Sequence, residues 1–287
     1  MRWTPGSSTR DVEDRRGASG GGGFRLPGGR MGLGGLVVVL VLSLIFKQDF
    51  LSLLAGGDGG AVPGSEAAAP VNASPEEEKL KDFITFVLND VQSTWDQELP
   101  RQTGTDYPHA TLVFFREATR TACGIGESAT GPFYCPGDNK VYIDLGFYQA
   151  LADRFGAPGD FAQAYVLAHE IGHHLQALLG TEAQVRDAQE RRPDQANNLS
   201  VRMELQADCY AGVWGFYASR RGQLQAGDVE EGLAAAAAVG DDRIQEQMTG
   251  RVHPESFTHG TADQRAAWFN RGLSSGTISS CDTFAAR

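Results

Sequence analysis

His169 and His173 are separated by Glu170-Ile171-Gly172, and this H-E-x-x-H spacing is where side chains of the chain can first do chemistry together. On a helix, residues four apart lie one turn from each other on one face, so both imidazoles can reach a single metal ion. The glutamate beside the first histidine can hold a metal-bound water and take its proton. The flanking residues are nearly all apolar, among them Phe161, Tyr165, Val166, Leu167, Ile171 and Leu175. A helix that is apolar on every side is expected to be buried, where imidazole and carboxylate are costly unless paired or bound to a metal.

Catalytic zinc usually takes three protein ligands, so two histidines leave the site short. A third histidine six residues beyond the second is excluded, because that position is Leu179. The best source of the missing ligand is the run Met203–Gly212, where Glu204 and Asp208 share one helical face. That face continues into Gly212 and Gly215, small residues that let another helix approach closely. One carboxylate can ligate zinc while the other accepts a ring N–H of a ligating histidine and fixes its tautomer. Glu204 is assigned to the metal and Asp208 to the histidine, with the inverse assignment left open. The developing oxyanion needs a donor, and His259, ahead of a helix, is the candidate, with Tyr210 and Tyr142 as rivals. His253 reads as a surface residue. His174 points about 100° away from His173 and reads as a supporting or packing group.

The elements that must position these groups can be read from capping and periodicity. Ser74-Pro75-Glu76-Glu77 opens a helix that runs through Leu80, Phe83, Val87, Val91 and Trp95. Ala110–Arg116 and Lys140–Leu145 read as strands, Cys123–Pro136 as loop, and Phe147–Phe155 as a short helix. Asp160 with Gln163 is expected to cap the metal helix and Gly180 to close it. Thr181–Asn198 reads as a polar connection, followed by a long helix over 199–220. Asp228 with Glu231, and Thr261 with Gln264, read as capping boxes for two further helices. The expectation is an α+β domain, mainly helical, with a small β-sheet ahead of the metal helix.

Composition narrows the class. The chain has 287 residues, is 41% hydrophobic and carries a formal charge of -11, which argues against a nucleic-acid partner. Residues 1–30 are Gly- and Arg-rich and read as a disordered cytoplasmic tail. Met31 to Phe46 carries no charge, and with Phe50–Ala55 it reads as a transmembrane signal anchor over 31–54. A Gly/Ala/Pro/Ser linker over 55–75 leads to the domain over 76–287. The expected placement is a single pass through a bacterial inner membrane, with the domain outside the cytoplasm. Four cysteines fit an oxidising space, and sequence permits three pairings. Cys123–Cys135 and Cys209–Cys281 are preferred.

Four motifs, Gly131-Pro-Phe-Tyr-Cys-Pro136, Ala164–Gln176, Glu204–Trp214 and Phe257-Thr-His-Gly260, together resemble the neutral zinc metallopeptidase family of bacterial membrane-anchored proteins. The resemblance covers about residues 75–285, and the motifs occur in the family's order. It implies a zincin-like, gluzincin-type site with Zn2+ held by His169, His173 and Glu204, and Glu170 as base. The expected function is a zinc-dependent endopeptidase acting on extracytoplasmic proteins. Hydrolysis of a cell-wall amide bond and a non-catalytic metal-binding envelope scaffold are the alternatives. An extended peptide is expected along the edge of the strand Lys140–Leu145, where Asp138 and Asp144 would favour basic residues.

Overall fold

The computed structural model describes residues 1–17, 71–128 and 131–285. Chain order is β1 (Val12–Asp14), α1 (Pro75–Thr103), β2 (Thr111–Phe115), β3 (Ala118–Thr121), β4 (Gly124–Glu127), β5 (Phe133–Cys135) and β6 (Lys140–Asp144). Then follow α2 (Gly146–Phe155), α3 (Asp160–Leu178), α4 (Thr181–Arg191), α5 (Ala196–Arg220), α6 (Asp228–Ala238), α7 (Asp241–Thr249) and α8 (Ala262–Ser275). The expected α+β class holds, with helices dominating.

Four strands form one sheet in the order β1-β2-β6-β5, and β3 with β4 makes a separate hairpin. β1, β2 and β6 run parallel, and β5 pairs antiparallel on the outside of β6. β2 and β6 carry Leu112, Phe114, Val141 and Ile143, all fully buried. This is the near-continuous apolar character of a parallel strand covered by other elements. The strand Lys140–Asp144 is therefore interior to the sheet, and the expected binding edge passes to β5. The span expected to be loop, Cys123–Pro136, instead contributes β4 and β5.

Helix α3 is apolar all round and sits in the middle of the domain, with Phe161, Leu167, Ile171 and Leu175 fully buried. Phe161 stacks on Trp214 of α5, ring centroids 5.5 Å apart. The helices around it meet through small residues. A Cβ built on Gly172 of α3 would lie 2.9 Å from the Ala207 carbonyl oxygen. On Gly212 of α5 it would lie 2.0 Å from the Phe269 oxygen, and on Gly272 of α8 1.9 Å from the Cys209 oxygen. No side chain fits these crossings, so α5 lies against α3 on one side and α8 on the other.

Capping follows the sequence in part. Ser74 accepts a hydrogen bond from the Glu77 amide, and Thr261 with Gln264 closes a full capping box. The other two caps are corrected. Gly159 and Gly227 occupy the cap positions, and Asp160 and Asp228 are the first helical residues. Their carboxylates turn to the amino group of Met1, 2.5 Å from Asp160. Glu231 accepts from the Phe161 amide at 3.2 Å. The polar connection over 181–198 is largely helical, as α4 and the first turn of α5.

The expectation of a disordered tail over 1–30 fails for its described part. Residues 12–14 are paired into the sheet, Trp3 packs edge-on against Phe83 with centroids 5.4 Å apart, and Met1 is buried. Backbone pairing holds a segment that has little apolar content of its own. The anchor expected over 31–54 and the linker from 55 lie outside the described residues. Among the described residues, no helix is long and apolar enough to cross a membrane. Both preferred disulfides, Cys123–Cys135 and Cys209–Cys281, are formed.

Candidate metal centre

Helix α3 presents His169 and His173 one turn apart, and the close contact at Gly172 brings α5 near enough for Glu204 to meet them. His169 Nε2 lies 3.1 Å from Glu204 Oε2, and His173 Nε2 lies 3.5 Å from Oε1 of the same carboxylate. The two Nε2 atoms are 3.2 Å apart. Two nitrogens bound at about 2.0–2.1 Å to a tetrahedral zinc ion would be separated by about 3.3 Å. The two imidazoles and one carboxylate therefore fit zinc in both type and spacing. All three ligand atoms lie within 4.8 Å of one another.

The remaining ring nitrogens are already committed. His169 Nδ1 donates to Asp208 Oδ1 at 2.8 Å, and His173 Nδ1 donates to Gln176 Oε1 at 2.8 Å. Each bond fixes Nδ1 as the nitrogen that keeps its proton in the neutral ring, so Nε2 is the atom turned to the common point. Gln176 is itself held, its amide donating to the Met203 carbonyl at 2.7 Å and to Gln206 Oε1 at 3.1 Å.

Asp208 is fully buried and saturated. Besides His169, it accepts from Tyr165 Oη at 2.5 Å and from two nitrogens of Arg265 at 2.8 and 2.9 Å. Burial raises the Asp208 carboxyl, yet the Arg265 guanidinium and His169 outweigh it and hold the group down at about 2. At His169 burial disfavours the charged ring, but Asp208 and Glu204 push it up to about 10. Burial likewise opposes ionisation of Glu204, and the two histidines hold it well below the usual carboxylate range. The site is thus a chain from Arg265 through Asp208 and His169 to Glu204, with every member charged or tautomer-fixed by the next. Arg265 and Tyr165 were not singled out by their sequence context. Arg265 sits 57 residues from Asp208, where no local spacing marks it.

Glu170 is buried in α3, and among the described residues no hydrogen bond or ion pair ties its carboxylate down. The Tyr148 hydroxyl of α2 is buried without a hydrogen-bond partner among the described residues, and is raised by burial first and by the Glu170 charge second. His259 sits in the turn before α8, its ring half-exposed, with Nδ1 3.1 Å from Asp241. Asp241 also accepts from the amides of Thr258, His259 and Gly260, at 2.7, 2.6 and 3.0 Å. The hydrogen bond to Asp241 raises His259, against burial, and the Glu204 charge adds to it, so the ring is within electrostatic reach of the ligand set. Among the described residues, its Nε2 has no hydrogen-bond partner.

Other sequence candidates are placed elsewhere. Tyr210 packs edge-on against Trp95, and Tyr142 stacks on Phe133 while donating to Asp138 at 2.7 Å. His174 is buried between the Tyr134 hydroxyl, 3.0 Å away, and the Pro108 carbonyl, 2.7 Å away. It packs, and does not enter the cluster. His253 is exposed beside Glu255. Asp138 and Asp144 are used internally, by Tyr142 and the Ala122 amide and by Ser128 and the Gly146 amide. Neither is offered to a basic substrate side chain. A second carboxylate cluster, Asp160, Asp228 and Glu231, is occupied by the chain's own amino terminus.

A family model described as "Putative neutral zinc metallopeptidase" matches residues 1–284. The chain is 49% identical over 290 residues to the Escherichia coli protein named "Uncharacterized protein YpfJ", covering 99% of each. It is 46% identical over 209 residues to the Mycobacterium tuberculosis protein named "Uncharacterized protein Rv2575", covering 69% of this chain and 68% of that one. No solved structure matches the chain.

Proposed function

The chain belongs to the neutral zinc metallopeptidase family, and from that premise we propose that it is a zinc-dependent endopeptidase using Glu170 as general base. The observation that carries this reading is the convergence of His169 Nε2, His173 Nε2 and Glu204 on one point, with both Nδ1 atoms turned away and bonded. His169, His173 and Glu204 are the residues that would hold Zn2+, and Asp208 orients His169. Zinc, when bound, supplies the positive charge that makes water acidic enough to serve as a nucleophile near neutral pH.

The chain's own groups do the rest. Glu170 accepts the proton of the attacking water at its carboxylate and passes it to the leaving amine. His259, through Nε2, donates to the oxyanion that forms on the peptide carbonyl. Its hydrogen bond to Asp241 supplies the orientation and favours the charged ring. An extended substrate pairs with the outer edge of β5, the antiparallel strand beside α3, through main-chain hydrogen bonds. The two disulfides support a working place in an oxidising space outside the cytoplasm. The apolar run 31–46 is the part that would hold the protein at a membrane.

The test is Glu170→Gln in zinc-loaded protein. Casein hydrolysis should fall by about 10²–10⁴-fold, the range that positioned acid–base groups contribute, while metal analysis shows zinc retained. Hydrolysis that persists with zinc bound would remove Glu170 from the mechanism.

A further inference from the structure

The segment 1–17 and the helix that follows the undescribed residues 18–70 meet at one place on the domain. β1 pairs in parallel with β2 in the register Val12↔Leu112, Glu13↔Val113, Asp14↔Phe114. The Leu112 amide donates to the Asp11 carbonyl at 2.8 Å, and the Arg15 amide to the Phe114 carbonyl at 2.7 Å. The Arg16 guanidinium is 1% exposed and is enclosed by Asp14 at 2.7 Å, Glu77 at 2.9 Å and Glu78 at 2.6 Å. Glu77 and Glu78 lie in the first turn of α1, where the chain re-enters the described structure. Arg116 completes the arrangement by bonding both Glu77, at 2.7 Å, and the Asn72 carbonyl, at 3.1 Å. The two described segments therefore end at Gly17 and resume at Val71 beside the same charge cluster.

Between those points lies Met31–Phe46, sixteen residues without a charge. A single crossing of a bilayer by this run would put residues 1–17 and residues 71–285 on opposite sides of about 30 Å of hydrocarbon. The β1–β2 pairing, the Trp3–Phe83 contact and the Arg16 cluster would then all be broken. Phe114 and Leu112 would face a bare sheet edge, which proteins avoid leaving open. A buried arginine held by three carboxylates is not dispensed with lightly, because removing one partner leaves charge uncompensated.

We infer that residues 1–17 and the domain 71–285 lie on the same side of any membrane the 31–46 run engages, so the chain is not a single-pass protein. The strand β1 is the domain's own edge strand, delivered from the far side of the apolar run in sequence but not across a membrane. The inference stands on packing remote from the zinc residues and does not depend on the peptidase reading.

The test uses the full chain with one added thiol at a time, since the native cysteines are all paired in disulfides. Thr4→Cys reports the N-terminal segment and Gln247→Cys, on α7, reports the domain; both positions are exposed. Each variant is treated with a membrane-impermeant maleimide in intact spheroplasts and again after permeabilisation. The expected result is the same pattern for both thiols, either both labelled before permeabilisation or both only after it. Labelling of one thiol before and the other only after permeabilisation would overturn the inference.

Discussion

Two buried arginines show how the same device serves two ends in this molecule. Arg265 and Arg16 are 3% and 4% exposed, and each is wrapped by carboxylates. Around Arg265 the seal is tighter: Asp208 is 0% exposed and bonds His169 directly, and Glu204, 3.9 Å away, is 18% exposed. Around Arg16 the partners reach water, with Glu78 at 42% side-chain exposure and Asp14 at 28%. One arginine holds the carboxylate that bonds His169, a proposed metal ligand, and the other fastens a terminal strand to a helix start. The difference teaches that burial of the cation alone does not define its role; whether its partners see solvent sets how much depends on it.

The sharpest break in this comparison is Arg265→Ala. It strands Asp208 in the core, and breaking a buried pair in this way costs about 3–5 kcal/mol. Urea unfolding should show that loss. Chelator competition should show zinc affinity reduced by about 10–100-fold, as for other groups that orient a metal ligand. Arg265→Lys keeps the charge but loses the fork that reaches both Asp208 oxygens and the Tyr165 hydroxyl. It should lose less stability than alanine, about 1–3 kcal/mol, with zinc affinity between alanine and wild type. If lysine equals wild type in zinc affinity, the orienting role falls and only charge remains.

Arg16→Ala should cost less again, about 1–2 kcal/mol, because its partners are partly hydrated and retain Lys81 and Arg116. Zinc affinity should stay unchanged, while limited trypsin digestion at Arg10 and Arg15 accelerates. A fall in zinc affinity would join the two arginines into one network and end the distinction.

The smallest expected effect is a pH slope at the same seam. His109 Nδ1 lies 2.7 Å from Asp11 and 3.1 Å from Arg10, and its Nε2 lies 3.0 Å from Asp96, with the Tyr107 ring alongside and His174 beyond it. Burial lowers His109, but the two carboxylates raise it above its ordinary value. A raised histidine stabilises fully below its unfolded value near ~6.5, and that contribution is lost as pH climbs through the higher folded value. Amide exchange in β1, relative to its intrinsic base-catalysed rate, should therefore quicken as pH rises above about 6.5, and His109→Gln should flatten the slope. An unchanged slope in that variant assigns the titration to another group.

What the sequence disclosed was what short-range pattern encodes. The α3 helix, the Ser74 cap and the Thr261–Gln264 box depend on neighbours within one or two turns, and each stands as expected. The Glu204–Asp208 pair was legible because two acids four apart in an apolar run have few other uses. The failures at the caps, at β1 and at Arg265 are long-range. Asp160 and Asp228 have the chemistry of caps, yet the amino terminus of Met1 claims them from 159 and 227 residues away. β1 has a single apolar residue, Val12, so only its backbone partner on β2 makes it a strand. Arg265 looks like any polar residue on an amphipathic helix until Asp208 is placed opposite it. The interior position of β6 was hidden for a different reason, since its outer neighbour β5 lies in a span that reads as loop.

The Cys209–Cys281 bond has a consequence for the order in which the molecule matures. Cys209 is adjacent in sequence to Asp208, and the Cys281 carbonyl accepts the Gln206 amide at 3.1 Å. That amide belongs to the network behind His173. The helix bearing Glu204, the proposed third ligand, is thus stapled and hydrogen-bonded by a residue 72 positions after Cys209. During synthesis His169, His173 and Glu204 all emerge well before the clasp that steadies them. Completion of the centre is accordingly a late event, coupled to oxidation, and a chain held in a reducing environment keeps its ligands but not their final fastening.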